Sequence, residues 1–243
     1  MSEARGLNYR PLYEQIKTLL VRRLGNNEWP PGTALPSEIA LAQEYDVSQG
    51  TVRKALNVME KEHLVERRQG RGTFAARHSQ QRSLFQFFHL VNDNGERELP
   101  VSRATSCRQS KASAAEARAL ELPERASVIR IERVRELNGT PAIHERISIP
   151  SSLFPGLASW PPENLPNTLY EFYETEYGVM VVHASEKVRA AAASATEAKV
   201  LGVAPASPLL SVERRALNIR NEPVEWRRSL CRTDQHYYFN ELD

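Results

Sequence analysis

The stretch from Leu35 to Thr73 constrains this chain more than any other, because two short amphipathic segments are followed there by a basic hairpin pattern. Ser37 follows Pro36 and precedes the apolar positions Leu41, Ala42 and Tyr45, so its hydroxyl is placed to accept from the unsatisfied N–H groups that open a helix. Asp46 and Val47 break the pattern. Ser48 opens a second helix, in which Val52, Ala55, Leu56 and Met59 recur at the spacing of a buried stripe. Gln49, Gly50, Thr51, Arg53, Lys54 and Asn57 lie off that stripe and carry amide, hydroxyl and cationic groups. Such groups on the first turns of a helix suit the base edges and phosphates of a DNA groove. Gly50 lowers helix propensity by about 1 kcal/mol relative to Ala, and two readings of it are open: close approach of the backbone to DNA, or a tolerated surface glycine. His63 to Arg68 then predicts a strand, Gln69 to Arg71 a turn and Gly72 to Ala76 the returning strand. This wing sets Arg67, Arg68 and Arg71 around its tip, where they are expected to neutralise phosphates.

These motifs resemble the N-terminal winged helix-turn-helix of the GntR-type bacterial transcription regulators. The resemblance runs from Tyr9 to about Ala76, through PLYEQIKTLL, the W-x-P-G-x-x-L-P-S-E run at Trp29 to Glu38, V-S-x-x-T-V-R-x-A-L at Val47 to Leu56, and R-x-G-x-G-T-F at Arg68 to Phe74. It implies DNA contacts from Ser37, Thr51, Arg53 and the wing glycines Gly70 and Gly72. With the helix and wing positions read above, the candidate DNA-binding set is Ser37, Ser48, Gln49, Gly50, Thr51, Arg53, Lys54, Asn57, Arg68, Gly70, Arg71, Gly72 and Thr73. The family often carries Arg where this chain has Ile39 and Gln49, so the contacts of those arginines do not transfer.

A chain of 243 residues, 41% hydrophobic and 26% charged, has the length and composition of a soluble globular protein with two domains. Charge is divided unevenly: residues 1–83 carry 13 Lys and Arg against 9 Asp and Glu, and the remainder carries 19 against 21. The basic part coincides with the DNA-reading pattern. Leu12, Ile16, Leu19, Leu20 and Leu24 form one apolar stripe, predicting a first helix that ends near Gly25 and buttresses the reader. Residues 77–83, RHSQQRS, lack periodicity and apolar side chains, so the expected organisation is a DNA-binding domain over 1–76, a linker over 77–83 and a second domain over 84–243. No secretory leader and no apolar run near the ~20 residues of a membrane span stands out, which with two cysteines points to a reduced cytoplasm. Cys107 and Cys231 read as ordinary unpaired strand residues. The six histidines are scattered without ligand spacing, so neither a metal nor another cofactor is expected.

The second domain contains an internal repeat displaced by 81 positions: Ser113-Ala-Ala-Glu-Ala-Arg-Ala-Leu120 aligns with Ser194-Ala-Thr-Glu-Ala-Lys-Val-Leu201. Ile131 to Arg133 aligns in turn with Val212 to Arg214. Each copy opens with a capping-box pattern, Ser113 with Glu116 and Ser194 with Glu197, and continues into an alternating strand pattern. Asn138-Gly139 marks a two-residue hairpin between strands near Val128 to Leu137 and Pro141 to Ile149. The second copy turns near Asn221, between Leu209 to Ile219 and Pro223 to Cys231. The fold class expected is α+β, a mostly antiparallel sheet with helices on one face, including one over Thr168 to Tyr177 stopped by Gly178.

On the strand from Ser127 to Leu137, Arg133 and Arg135 share a face with Ile129, Ile131 and Leu137. Guanidinium groups there need partners: either carboxylates, with Glu145 and Glu225 as candidates, or an anionic ligand. From Leu84 to Phe239 the chain also resembles, through R-V-R-E-L-N-G-T-P, T-L-Y-E-F, E-Y-G and P-V-E-W, the UTRA effector-binding domain of the HutC subfamily, which has a chorismate-lyase-like fold. The resemblance implies an effector pocket lined by Arg133, Arg135, Glu145, Thr168, Tyr170 and Glu225, and His89 joins these as a candidate. Cys231 stands where relatives often place Tyr, and Phe87-Phe88-His89-Leu90 replaces a frequent small polar segment, which favours a more aromatic or apolar effector.

The reading that follows is a one-component transcription regulator, in the mould of a repressor, whose affinity for operator DNA is controlled by a small-molecule effector with an anionic group. With the cytoplasm as the expected compartment, the resemblance places homodimer pairing in the second domain, and one winged domain per short half-site then predicts a near-palindromic operator. Two alternatives are a lyase-type enzyme tethered to DNA and an effector-independent DNA-binding protein. No catalytic residue set stands out in the sequence, and fold likeness alone supplies no chemistry.

Overall fold

The computed structural model describes residues 10–26, 28–77 and 87–241, and the chain divides into two compact units between Arg77 and His78. Of the expected linker, only Arg77 is described; residues 78–83 lie outside the described residues.

The first unit holds α1 (Leu12–Gly25), α2 (Glu38–Glu44), α3 (Gln49–Lys61), β1 (Val65–Arg68) and β2 (Gly72–Ala75). The caps are those the sequence predicts: Ser37 Oγ accepts from the Ala40 N–H and Ser48 Oγ from the Thr51 N–H, each at 3.1 Å. Asp46, at φ 51°, turns the chain between α2 and α3. Val52, Ala55, Leu56 and Met59 are fully buried, and burial of the larger three contributes about 1.5–3 kcal/mol each. The α1 stripe is narrower than expected: Ile16, Leu20 and Leu24 are buried, whereas Leu12 and Leu19 are exposed, because α3 covers only one side of the helix. His63 adopts φ 57°, so it turns the chain out of α3 and the wing strand begins at Val65. The wing is tied to the body by Leu35, whose N–H donates to Thr73 O, and by Ala75, whose N–H donates to Thr33 O, both at 2.8 Å.

The second unit is built on a six-stranded antiparallel sheet. Its strands are β4 (Val101–Lys111), β5 (Ser127–Leu137), β6 (Thr140–Pro150), β7 (Val181–Ala192), β8 (Pro208–Asn218) and β9 (Pro223–Cys231), ordered β4-β5-β6-β9-β8-β7. A separate pair joins β3 (Leu90–Asn92) to β10 (His236–Tyr238). Short helices α4 (Ala114–Ala119) and α6 (Ala195–Leu201) follow β4 and β7, and α5 (Leu169–Tyr177) lies between the two halves, closed by Gly178 at φ 65°. Asn138 and Gly139 both have positive φ, the left-handed pair that a tight two-residue hairpin requires. The second hairpin is looser, with its turn spanning residues 219–222.

The repeat is therefore strand, helix and hairpin, one strand longer at its start than the sequence pattern revealed. Strand order mirrors about the β6–β9 seam. Arg133 faces Glu145 across β5–β6, and in the second copy Arg214 faces Arg227 across β8–β9. At the seam Glu145 faces Ser229 and Ile147 faces Arg227, so the pseudo-twofold axis passes through the Arg146–Arg228 pair. The capping box is complete at Ser113–Glu116; at Ser194 the serine caps the Glu197 N–H while the Glu197 carboxylate accepts from Arg146 at 3.1 Å.

The antiparallel α+β class holds, but helices lie on both faces rather than one. Residues alternate across β5 and β6. Ile129, Ile131, Ile147 and Ile149 pack with α5 residues Leu169, Tyr170, Phe172 and Tyr173 in one core. Arg130 and Ser148, on the other face, hydrogen-bond Glu116 of α4.

Candidate functional site

Each unit presents a cluster of arginines arranged around glutamate. In the first, Glu38 stands at the start of α2, where the helix dipole favours its charge. Its carboxylate accepts from Arg53 Nε at 2.9 Å, from an Arg67 terminal nitrogen at 3.1 Å and from Gln49 Nε2 at 3.3 Å. Arg67 also approaches Glu60 at 3.6 Å. It is thus turned back onto the helices instead of standing at the wing tip, a correction to the sequence reading whose cause is these two carboxylates.

Gln49, Gly50, Arg53, Lys54 and Asn57 are exposed along α3, with Ser48 and Thr51 sharing a 2.9 Å hydroxyl contact at its start. Lys54 is anchored over the Tyr13 ring at 4.1 Å. Arg68 stacks on Phe74 at 4.3 Å, while Arg71 is exposed at the turn. Gly70 and Gly72, at φ 69° and 102°, carry backbone conformations that a side chain would strain, and nothing lies within 4 Å of where a Cβ would sit. Gly50 is different: a Cβ there meets only Ser48 Oγ, at 3.7 Å, so the fold itself does not require glycine. Ser37 and Ser48 both serve as helix caps by accepting, and the Ser48 hydroxyl also shares its contact with Thr51.

The second cluster is buried in the α5 face of the sheet. Glu145 is shared by three guanidinium groups: Arg133 Nε at 2.5 Å, Arg227 at 3.3 Å and Arg135 at 3.5 Å. Burial pushes its pKa up, but Arg133, Arg227 and Arg135 overcome this and hold the carboxyl well below the usual range. Glu225, with no exposed surface, accepts from Arg227 Nε and a terminal nitrogen at 2.9 and 2.8 Å and from the Tyr170 and Tyr173 hydroxyls at 2.9 and 3.0 Å. Burial and the neighbouring Glu225 push the Tyr170 hydroxyl up to about 12, so it stays a donor. Arg214 pairs with Glu186 and donates to the Phe87 carbonyl. Across the whole cluster four guanidinium groups face the three carboxylates Glu145, Glu186 and Glu225.

A cavity divided by Phe87 and Phe88 opens over this cluster, with Arg135, Arg214 and Arg227 lining both lobes. One lobe is walled by Leu99, Asn167, Thr168 and Tyr170; the other by His89, Ile143, Val212, Cys231 and Tyr238. Arg135 is the least satisfied of the four. It lies under the Phe88 ring at 5.0 Å and donates to Ser102 at 3.1 Å; burial and the positive charge of Arg133, Arg227 and Arg214 push it down to about 9 despite Glu145. His89 Nδ1 is buried without a hydrogen-bond partner, and burial lowers its pKa. Cys231 and Cys107 are both free thiols.

Arg133, Arg135, Glu145, Thr168, Tyr170 and His89 thus come together as expected. Glu225 does not line the cavity; it sits beneath, gripping Arg227 and two tyrosines. Sequence reasoning missed Arg214 and Arg227, although Arg214 occupies the repeat position of Arg133 and that equivalence was available.

A winged helix-turn-helix joined to a sheet domain with a charged internal cavity defines a DNA-binding regulator with a ligand-sensing module. The UTRA domain matches residues 96–237, and the gntR family of bacterial regulatory proteins matches residues 12–75. The chain belongs to the UTRA-domain regulators of the gntR family, and is a transcription regulator, not an enzyme. It is 27% identical over 234 residues to the HTH-type transcriptional repressor NagR of Bacillus subtilis, covering 96% of this chain and 95% of that protein. It is 24% identical over 233 residues to the mannosyl-D-glycerate transport/metabolism system repressor MngR of Escherichia coli, covering 96% of each. The ligand-binding domain of a GntR-family regulator from Bordetella bronchiseptica matches at 37% identity and a TM-score of 0.58, over 65% of this chain and 98% of that one. The regulator YydK of Bacillus subtilis shares the fold at 17% identity and a TM-score of 0.58, over 94% and 99%.

Proposed function

We propose that this regulator is a repressor released or recruited by a small anionic metabolite seated among Arg133, Arg135, Arg214 and Arg227. The observation that carries the reading is the surplus of guanidinium over carboxylate in a buried cavity, concentrated at Arg135. An acid group there supplies the missing counter-charge through charge-assisted bonds. The second lobe sets the apolar side chains Phe87, Phe88 and Val212 beside the charged groups Glu186 and Arg214, and His89 Nδ1 supplies a polar contact there. Relatives named as repressors, one of them of a transport and metabolism system, support the sign and the metabolite class.

The DNA face comprises Ser37, Ser48 to Thr51, Arg53, Lys54 and Asn57, with Arg68 and Gly70 to Thr73 on the wing. The chain acts as a cytoplasmic homodimer on a near-palindromic operator. Among the described residues no helix is long and apolar enough to cross a membrane. The edge strand β7 supports pairing: over 183–192 it is largely exposed, and among the described residues β8 is its one hydrogen-bonded neighbour in the sheet. Mass spectrometry of small molecules retained by the full chain, followed by operator binding with and without each one, tests the ligand. Retention of an anion that changes operator affinity is the expected result; a panel of retained and added organic acids and phosphates that leaves affinity and melting temperature unmoved overturns it.

A further inference from the structure

We propose that Glu38 is a specificity-determining residue of the DNA reader, fixing Arg53 by its inner edge and holding Arg67 off the DNA backbone so that the surface discriminates between sequences. This rests on the reading of α3 as the DNA-facing helix. Three donors converge on the one carboxylate: Gln49 and Arg53 from α3 and Arg67 from β1. Arg53 meets Glu38 through Nε, and its side chain is otherwise about half exposed, at 53%. A guanidinium held through Nε presents its two terminal nitrogens outward as a fork, the geometry that matches guanine O6 and N7.

Arg67 is treated in the opposite way. One of its terminal nitrogens lies on Glu38 and within 3.5 Å of the Arg53 carbonyl, and its Nε faces Glu60 at 3.6 Å. Its charge is answered inside the protein. A free cation at that place would strengthen attraction to any duplex, because phosphate contacts carry no sequence information. Glu38 thus positions one arginine for reading and withdraws a second from indiscriminate binding.

The test uses the full chain and two duplexes: one selected by the wild-type protein from a randomised pool, and a scrambled duplex of the same length. Glu38→Gln keeps the side chain's size and removes its charge. It is expected to tighten binding to the scrambled duplex and to lower the selected-to-scrambled affinity ratio about tenfold. Its salt dependence on the scrambled duplex should steepen by about 0.9 in the log–log slope as Arg67 engages one more phosphate. In an Arg53→Ala, Arg67→Ala background the same substitution is expected to leave the ratio within about twofold, since Glu38 acts through those two residues. A merely structural role lowers the melting temperature while leaving the ratio unchanged, and that result overturns the proposal. So does an equal loss of ratio in the double-alanine background. Should the Gln variant not fold, Glu38→Asp keeps the charge and shortens the reach, with the same ratio loss expected and an unchanged ratio again decisive against it. Arg53→Ala alone separates the two levels: undiminished affinity for the selected duplex overturns the assignment of α3, independently of Glu38.

Discussion

The two arginine clusters are made of the same groups and live in different solvents. Around Glu38 the arginines are between a third and a half exposed, so their ion pairs are hydrated and each contributes about 0–1 kcal/mol. Around Glu225 and Glu145 the side chains are at most 6% exposed for Arg133 and Arg227, and an unpaired charge there has no water to fall back on. The exposed set stays hydrated, so Glu38 orients Arg53 and Arg67 without locking them, which suits a surface that keeps its own carboxylate while leaving the outer edge of Arg53 open. The buried set holds the strands β5, β6 and β9 and helix α5 in one arrangement, which suits a cavity whose shape must report what fills it.

Substitutions at matched positions test this contrast. The largest effect is expected for Glu225→Ala, which leaves the Arg227 guanidinium and two tyrosine hydroxyls unsatisfied in the core. The second unit should lose about 3–5 kcal/mol in denaturant unfolding while the melting of the first is unmoved. Equal stability of variant and parent would break the comparison. Next comes Arg53→Ala, expected to weaken binding to a selected operator duplex by about 1–3 kcal/mol, with a thermal melt that overlays the parent. Smaller still is Arg135→Met, which relieves repulsion from Arg133, Arg214 and Arg227. Its stability should stay within about 1 kcal/mol of wild type, whereas any anionic effector found should bind it at least tenfold more weakly by calorimetry. A large loss of stability would show Arg135 to be as structural as Arg227. The smallest is Gly50→Ala: with only Ser48 Oγ near, folding should improve by up to about 1 kcal/mol. Weaker operator binding alongside that gain would sharpen the case for close backbone approach to DNA; unchanged binding would mark Gly50 as a tolerated surface glycine.

Much of this was legible before any coordinates. Helix starts followed from Ser37, Ser48, Ser113 and Ser194, because a serine hydroxyl answers orphan N–H groups wherever an amphipathic run begins. Asn138-Gly139 fixed a hairpin through its demand for two positive φ angles. Strands β4 and β7 were hidden because both are sheet edges: their exposed faces carry Ser, Arg and Ala without the apolar–polar alternation of a half-buried strand, and alanine is a poor strand former. The roles of Glu38 and Glu225 were hidden for another reason. A carboxylate's partners are set by which strands and helices meet, and Arg67 lies 29 positions from Glu38 while Tyr170 lies 55 from Glu225.

The mirrored strand order has a consequence for how any guest lies in the cavity. Duplicated halves placed about an axis offer two equivalent seats, and a guest in such a site is indifferent to being turned end for end. Here the register positions have diverged: the place across from Arg133 holds an acceptor, Glu145, where the matching place across from Arg214 holds a donor, Arg227, and Arg135 facing Ile143 is matched by Ala216 facing Glu225. Reversing a guest therefore exchanges a donor–acceptor match for a clash of like groups. The doubled frame contributes width, and the changes of charge within it contribute direction.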